Sequence, residues 1–152
     1  INRLRLSPPN KVNTDGIFLG FLPPKNDNWE MAWQHTERTI TEMDSYAKIN
    51  NIDFILASIG VGIQISPDIE YRKSKQKKFK VVNFLYPNNR LKIFSLRNDI
   101  NHISLSEPMS QEAVENKKHL NFITEETKTW GHWNSEGHKL AAKLLANVLC
   151  SI

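Results

Sequence analysis

The chain has 152 residues, 39% hydrophobic and 24% charged, with 20 Lys and Arg against 16 Asp and Glu for a formal charge of +4. Those figures suit one domain with a real core and exclude a disordered chain, a collagen-like repeat and a disulfide scaffold. The single cysteine, Cys150, has no internal partner and is silent about compartment, and no apolar run approaches the roughly 18–20 residues of a membrane-spanning helix.

In chain order, residues 1–28 read as an irregular lead-in. Pro8-Pro9, Asp15-Gly16 and Pro23-Pro24 are turn signals, and the apolar patch Ile17 to Leu22 leaves room for one short strand. The opening INRLRLSPPN lacks the basic–apolar–small order of a secretory leader. A compact domain rarely starts this way, and the first residue is isoleucine, so an upstream portion of the protein is expected.

Trp29, Trp33, Thr36, Ile40, Met43 and Ala47 recur at steps of four and three, predicting a helix over about 29–49. Asp27 with Glu30 fits a capping pair at its start, and Asn50-Asn51 fits its stop. The run Ile52 to Val61 is apolar at most positions and contains several β-branched residues, as in a strand buried on both faces of a parallel sheet. A helix beside a buried strand is the unit of a layered α/β fold.

Residues 71–80, YRKSKQKKFK, hold six cations (Arg72, Lys73, Lys75, Lys77, Lys78, Lys80) and no acid, leaving 14 basic against 16 acidic groups elsewhere. The basicity belongs to one segment, expected to be a solvated connecting loop. It suits an anionic partner, but Tyr71 and Phe79 alone do not make a nucleic-acid motif, so no nucleic-acid binding is expected. Pro87 opens a predicted helix to about Asn98. Ile100, Ile103 and Leu105 suggest a second, less buried strand, and Gln111 to His119 is helix-prone but polar, so it lies on the surface or is partly irregular. Leu140, Ala141, Leu144, Leu145, Val148 and Leu149 form the stripe of a helix over Ser135 to Leu149, with Asn134 at the N-cap and Glu136 in the first turn.

The segment Trp130-Gly-His-Trp-Asn-Ser-Glu-Gly-His, running into that last helix, resembles the final motif of the SGNH (GDSL-type) hydrolases. The order of elements agrees from about Trp29 to Leu149. The resemblance implies an α/β three-layer sandwich around a mostly parallel sheet, flavodoxin-like, of which this chain is the C-terminal part. It also implies ester hydrolysis, or acyl transfer to a sugar hydroxyl, through an acyl-serine without cofactor or metal. The substrate would be a small-molecule or glycan ester. By the resemblance His132 is the catalytic base and acid, activating a serine hydroxyl and then protonating the leaving alcohol.

Two departures stand out. The Gly-Asp-Ser nucleophile and the Gly and Asn of the oxyanion hole are absent; Ser58, in Ala57-Ser58-Ile59-Gly60, is the only serine in a similar setting and reads as mid-strand. The family's aspartate two or three residues before the histidine is replaced by Trp130 or Thr129. Either a backbone carbonyl orients the ring instead, or a remote acid such as Glu126 does, or activity is lost. This segment alone is therefore expected to be inactive.

Blander roles stand beside these. His138, inside the helix, suits a structural bond. His132, Glu136 and His138 lack the spacing of a metal set. Trp130 and Trp133 either line a cleft or cover the core. The competing function is a non-catalytic or decayed α/β domain that binds an anionic partner through 71–80.

Overall fold

The structure, a computed structural model, describes residues 18–122 and 131–150. It is a mixed α/β assembly: a 3-10 turn (Phe18–Phe21), then α1 (Asp27–Ile49), β1 (Ile55–Ser58), α2 (Gly62–Ile65), α3 (Ile69–Phe79), α4 (Tyr86–Arg97), β2 (Asn101–Ser104), α5 (Ser106–Glu115) and α6 (Ser135–Leu149). β1 and β2 pair in parallel from Ile55↔Asn101 to Ser58↔Ser104. Among the described residues these two strands are the whole sheet.

Local chemistry explains the helix ends. Asn26, rather than Asp27, caps α1: its Oδ1 accepts from Trp29 N–H at 3.1 Å. α1 ends where expected, with Asn51 following at φ 53°. α4 starts at Tyr86 with proline at its second position. α6 matches its expected span, and Asn134 Oδ1 accepts from Gly137 N–H at 2.9 Å.

Four expectations need correction. The basic segment is not a loop. It forms most of α3, capped by Asp68 Oδ1 on Tyr71 N–H at 2.8 Å, with Glu70 in the first turn and Lys77 and Lys78 in the last. Lys, Gln and Arg are good helix formers and these end charges complement the helix dipole; only an apolar stripe is missing, because α3 buries none of its residues. β1 is shorter than the apolar run, which places Ile52 and Ile59 outside it and exposed. The helix expected over 111–119 runs instead from Ser106 to Glu115 and buries Met109 and Ala113, while the rest of that span is irregular. Finally, residues 18–21 form a 3-10 turn rather than a strand, with Phe18 and Phe21 buried.

Apolar side chains collect in two clusters. One joins Ile65, Leu105, Met109, Ala113, Leu120 and Ala141, with Trp133 and the α6 leucines packed against it. The other joins Phe18, Phe21, Ile63, Val81 and Phe84. The one-turn helix α2 serves both, since Ile63 and Ile65 are fully buried in different clusters.

Beside α2 lies a buried polar network. Gln64 Nε2 donates to the Phe84 carbonyl at 2.8 Å and to Asn88 Oδ1 at 2.7 Å, while Gln64 Oε1 accepts from Val61 N–H at 2.9 Å. Asn88 Nδ2 donates to Ser58 Oγ at 3.1 Å and to Ser106 Oγ at 2.9 Å. The two amides thus use every N–H they have.

α1 is attached differently. Arg90 of α4 makes a two-pronged bond to Glu30 at 2.8 and 3.0 Å, reaches Glu37 at 2.7 Å, and lies over the Trp33 ring at 4.8 Å. The guanidinium holds the Glu30 carboxyl below its usual range.

Asn88→Ala should strand buried partners on Ser58, Ser106 and Gln64 and cost about 3 kcal/mol or more, at 1–3 kcal/mol per buried polar group left unmatched. Ser95 gives the contrast: its Oγ is buried with no partner, so Ser95→Ala should be neutral or stabilising by up to about 1 kcal/mol. Urea denaturation of both variants checks the pair.

Candidate functional site

The motif segment is held by backbone before any side chain acts. Phe122 N–H donates to the His132 carbonyl at 2.9 Å and Asn134 N–H to the Leu120 carbonyl at 3.0 Å, so Asn121 and Trp133 form an antiparallel bridge. Asn121 Nδ2 adds a bond to the Gly131 carbonyl, and Asn134 Nδ2 one to the His119 carbonyl at 2.7 Å. Asn134 therefore caps α6 with its oxygen and ties down the neighbouring segment with its nitrogen.

Gly137 is required here. A Cβ on it would strike the Leu120 carbonyl oxygen and come within 3.0 Å of Trp133 Cβ. The glycine of the Gly-His pair lets the first turn of α6 lie against the 119–122 segment. His138 is exposed, with its ring edge-on to Trp133 at 5.6 Å.

Trp133 resolves the choice left open for it. It is half-buried against the core, and its indole N–H donates to the Gly60 carbonyl at 3.3 Å. Gly60 lies two residues past the carboxyl end of β1, and a Cβ there would crowd Ile65 and Ser106. The histidine segment is thus fastened beside the carboxyl end of the parallel pair, where open α/β sheets characteristically place their sites. His132 itself is exposed, and no described residue hydrogen-bonds its ring. Glu126, Thr129 and Trp130, the positions bearing on an orienting group, lie outside the described residues.

A cavity of about 230 Å³ adjoins this segment. Ser66, Asp68 and Tyr71 form one wall, and His119, Leu120 and Asn121 the other. The second wall is the strand of chain hydrogen-bonded to Gly131–Trp133, so the cavity and His132 flank one short piece of backbone. His132 is not among the lining residues. Glu136 is engaged with Lys139 at 3.0 Å, and no cluster of three metal-ligating side chains occurs among the described residues.

The structure also shows a serine–histidine pair that the sequence pattern did not bring out. Ser58 ends β1 rather than sitting mid-strand, and its Oγ is 3.0 Å from His102 Nε2 on β2. With one lone pair taken by Asn88, the hydroxyl keeps its own proton to donate to a neutral ring. His102, Asn88, Gln64 and Ser106 carried no sequence signal, since each is a lone polar residue in an ordinary helix or strand. Ser58 is only 8% exposed, and none of the cavities described lines it. The pair belongs to the interior network.

Burial, and then the charge of Lys92, holds the His102 imidazole below its ordinary value of 6.5, against a smaller opposing pull from Glu107. No protein-family model, curated protein or solved structure matches this chain.

Two predictions follow from this geometry. Gly137→Ala should destabilise by about 1–3 kcal/mol despite alanine's better helix propensity, whereas Gly20→Ala, whose Cβ meets nothing within 4 Å, should be neutral or stabilising; thermal melts compare them. The pH dependence comes from His102. Because its folded pKa is depressed, the unfolded chain binds the proton more readily, so its contribution is intact above 6.5 and is lost as pH falls from there through the folded value. His102→Gln should flatten that part of a stability profile measured from about pH 8 to about pH 5.

Proposed function

We propose that this chain is the C-terminal part of an SGNH-type serine ester hydrolase or acyltransferase, with His132 as general base and acid. The observation that carries the reading is the anchorage of the histidine segment. Trp133 bonds to Gly60, Asn121 bridges Trp133, and together they hold an exposed imidazole on a braced loop at the carboxyl end of a parallel strand pair. A base needs access to substrate and a fixed position, and a loop clamped at both flanks supplies both.

In this reading the nucleophilic serine and the oxyanion donors stand upstream of Ile1, and the described strand pair is one side of a larger parallel sheet in a three-layer sandwich. The serine oxygen bonds to the acyl carbon as the bond to the alcohol oxygen breaks. His132 takes the serine proton and passes it to that alcohol. Water, or an acceptor hydroxyl, then repeats the exchange and releases the acyl group. Ser58 is not the nucleophile here, because it is enclosed and already accepts a bond from Asn88.

His132→Ala in the full-length protein should reduce hydrolysis of a nitrophenyl acetate by a factor on the order of 10⁴ or more. The melting temperature should stay unchanged, since the side chain is exposed. A fluorophosphonate label should map to an upstream serine. Retained activity in the variant, or a label on Ser58, overturns the assignment.

A further inference from the structure

We propose that the substrate is an acidic glycan held along α3, the cationic helix that borders the cavity beside the His132 segment; this inference rests on the hydrolase reading above and names its substrate class. α3 leaves the cavity from Tyr71, which lines it. The helix then presents Lys73, Lys77 and Lys78 as exposed cations, with Lys80 just past its end. Glu70 is the only acid on α3, and its 2.9 Å pair with Lys73 is open to solvent on both sides. Across the cavity, Lys117 and Lys118 immediately precede the lining residue His119.

The cations are kept at some cost to the fold. Lys73 and Lys77 stand four apart on one face, a repulsive spacing. Lys80 and Lys117 adopt φ of 54° and 50°, the left-handed conformation that glycine or asparagine takes more easily. The other two described non-glycine residues with positive φ are Asn51 and Asp99, which tolerate it. Lys80 ends α3, and Lys117 follows α5 two residues before the lining residue His119. A bound polyanion would offset the repulsion and use the side chains that occupy these positions.

The surroundings choose among polyanions. Phe79 is stacked on Phe18 at 3.8 Å with Lys78 over its ring, and Tyr71 carries Lys75 at 5.1 Å and packs against the core, so neither offers a face to a nucleobase. Ile69 at the first position of α3 and Val82 past its end are the exposed large apolar side chains here; two single side chains at opposite ends do not make the continuous apolar face by which a helix lies in a lipid surface. Charge without stacking or insertion fits a carboxylated or sulfated glycan.

The test uses the full-length protein with heparin as probe, and with neutral dextran, single-stranded oligonucleotide and anionic vesicles as comparators. Heparin should bind with an affinity that falls on the order of 50-fold between about 50 and 200 mM salt, as expected for about four ionic contacts. The double variant Lys73→Gln/Lys77→Gln should lose on the order of tenfold of that affinity, while Lys25→Gln/Arg38→Gln, the same charge change elsewhere, should not. Absence of salt-sensitive heparin binding overturns the inference, as does tighter binding of oligonucleotide or vesicles, or equal loss in the control pair. The esterase assay of His132→Ala is read separately. Lost activity without heparin binding removes the glycan and leaves the hydrolase, whereas heparin binding with activity retained in His132→Ala removes the hydrolase reading.

Discussion

The Asn88 side chain is the constraint on which the rest of this structure depends. One carboxamide joins the end of β1 through Ser58, α2 through Gln64 and the start of α5 through Ser106, from its own place in the first turn of α4. Four elements are thus registered at one buried point. The apolar clusters are adaptable and divide around α2, but directional bonds in a dry interior admit few alternatives. Among the described residues those bonds fix α2, α4 and α5 against the end of β1.

The candidate site is built outward from that point. The backbone just past Ser58 passes through Gly60, whose carbonyl receives the Trp133 indole, and into α2, whose Ile65 lines the cavity. The interior network therefore sets the position of the backbone to which the histidine segment is tied. His132 and His102 show how environment divides two histidines on one scaffold. The first is exposed on a braced loop; the second is half-buried against a hydroxyl that ends a strand. In the proposed chemistry only the first meets substrate.

The cationic helix has a different relation to the core. α3 buries no residue fully; Tyr71 and Phe79 pack part-buried against the second apolar cluster, and Arg72 reaches Ser110 at 2.9 Å. Its caps, helix propensity and end charges support it beside those two aromatic contacts, and its outward surface is left to charge. Its position beside the cavity links the basic segment and the histidine motif, which are far apart in sequence.

What could be read from residues alone were the features governed by near neighbours. The α6 span, its Asn134 cap, the proline start of α4 and the stop of α1 each depend on side chains within four positions, so spacing and residue type sufficed. The α3 helix escaped because apolar periodicity was taken as the mark of a helix, and a helix that buries no residue fully shows none. The His132 motif was legible as a pattern. The reason for its glycine was not, since Gly137 is required by the Leu120 carbonyl, 17 positions away. The Gln64–Asn88 bond spans 24 positions and the Trp133–Gly60 bond 73. By itself the sequence determined local helices, their ends and the chemistry available to them. The tertiary structure alone decided which serine faces a histidine, which tryptophan becomes an anchor and which helix borders a cavity, because those outcomes rest on contacts that exist only once distant segments are packed.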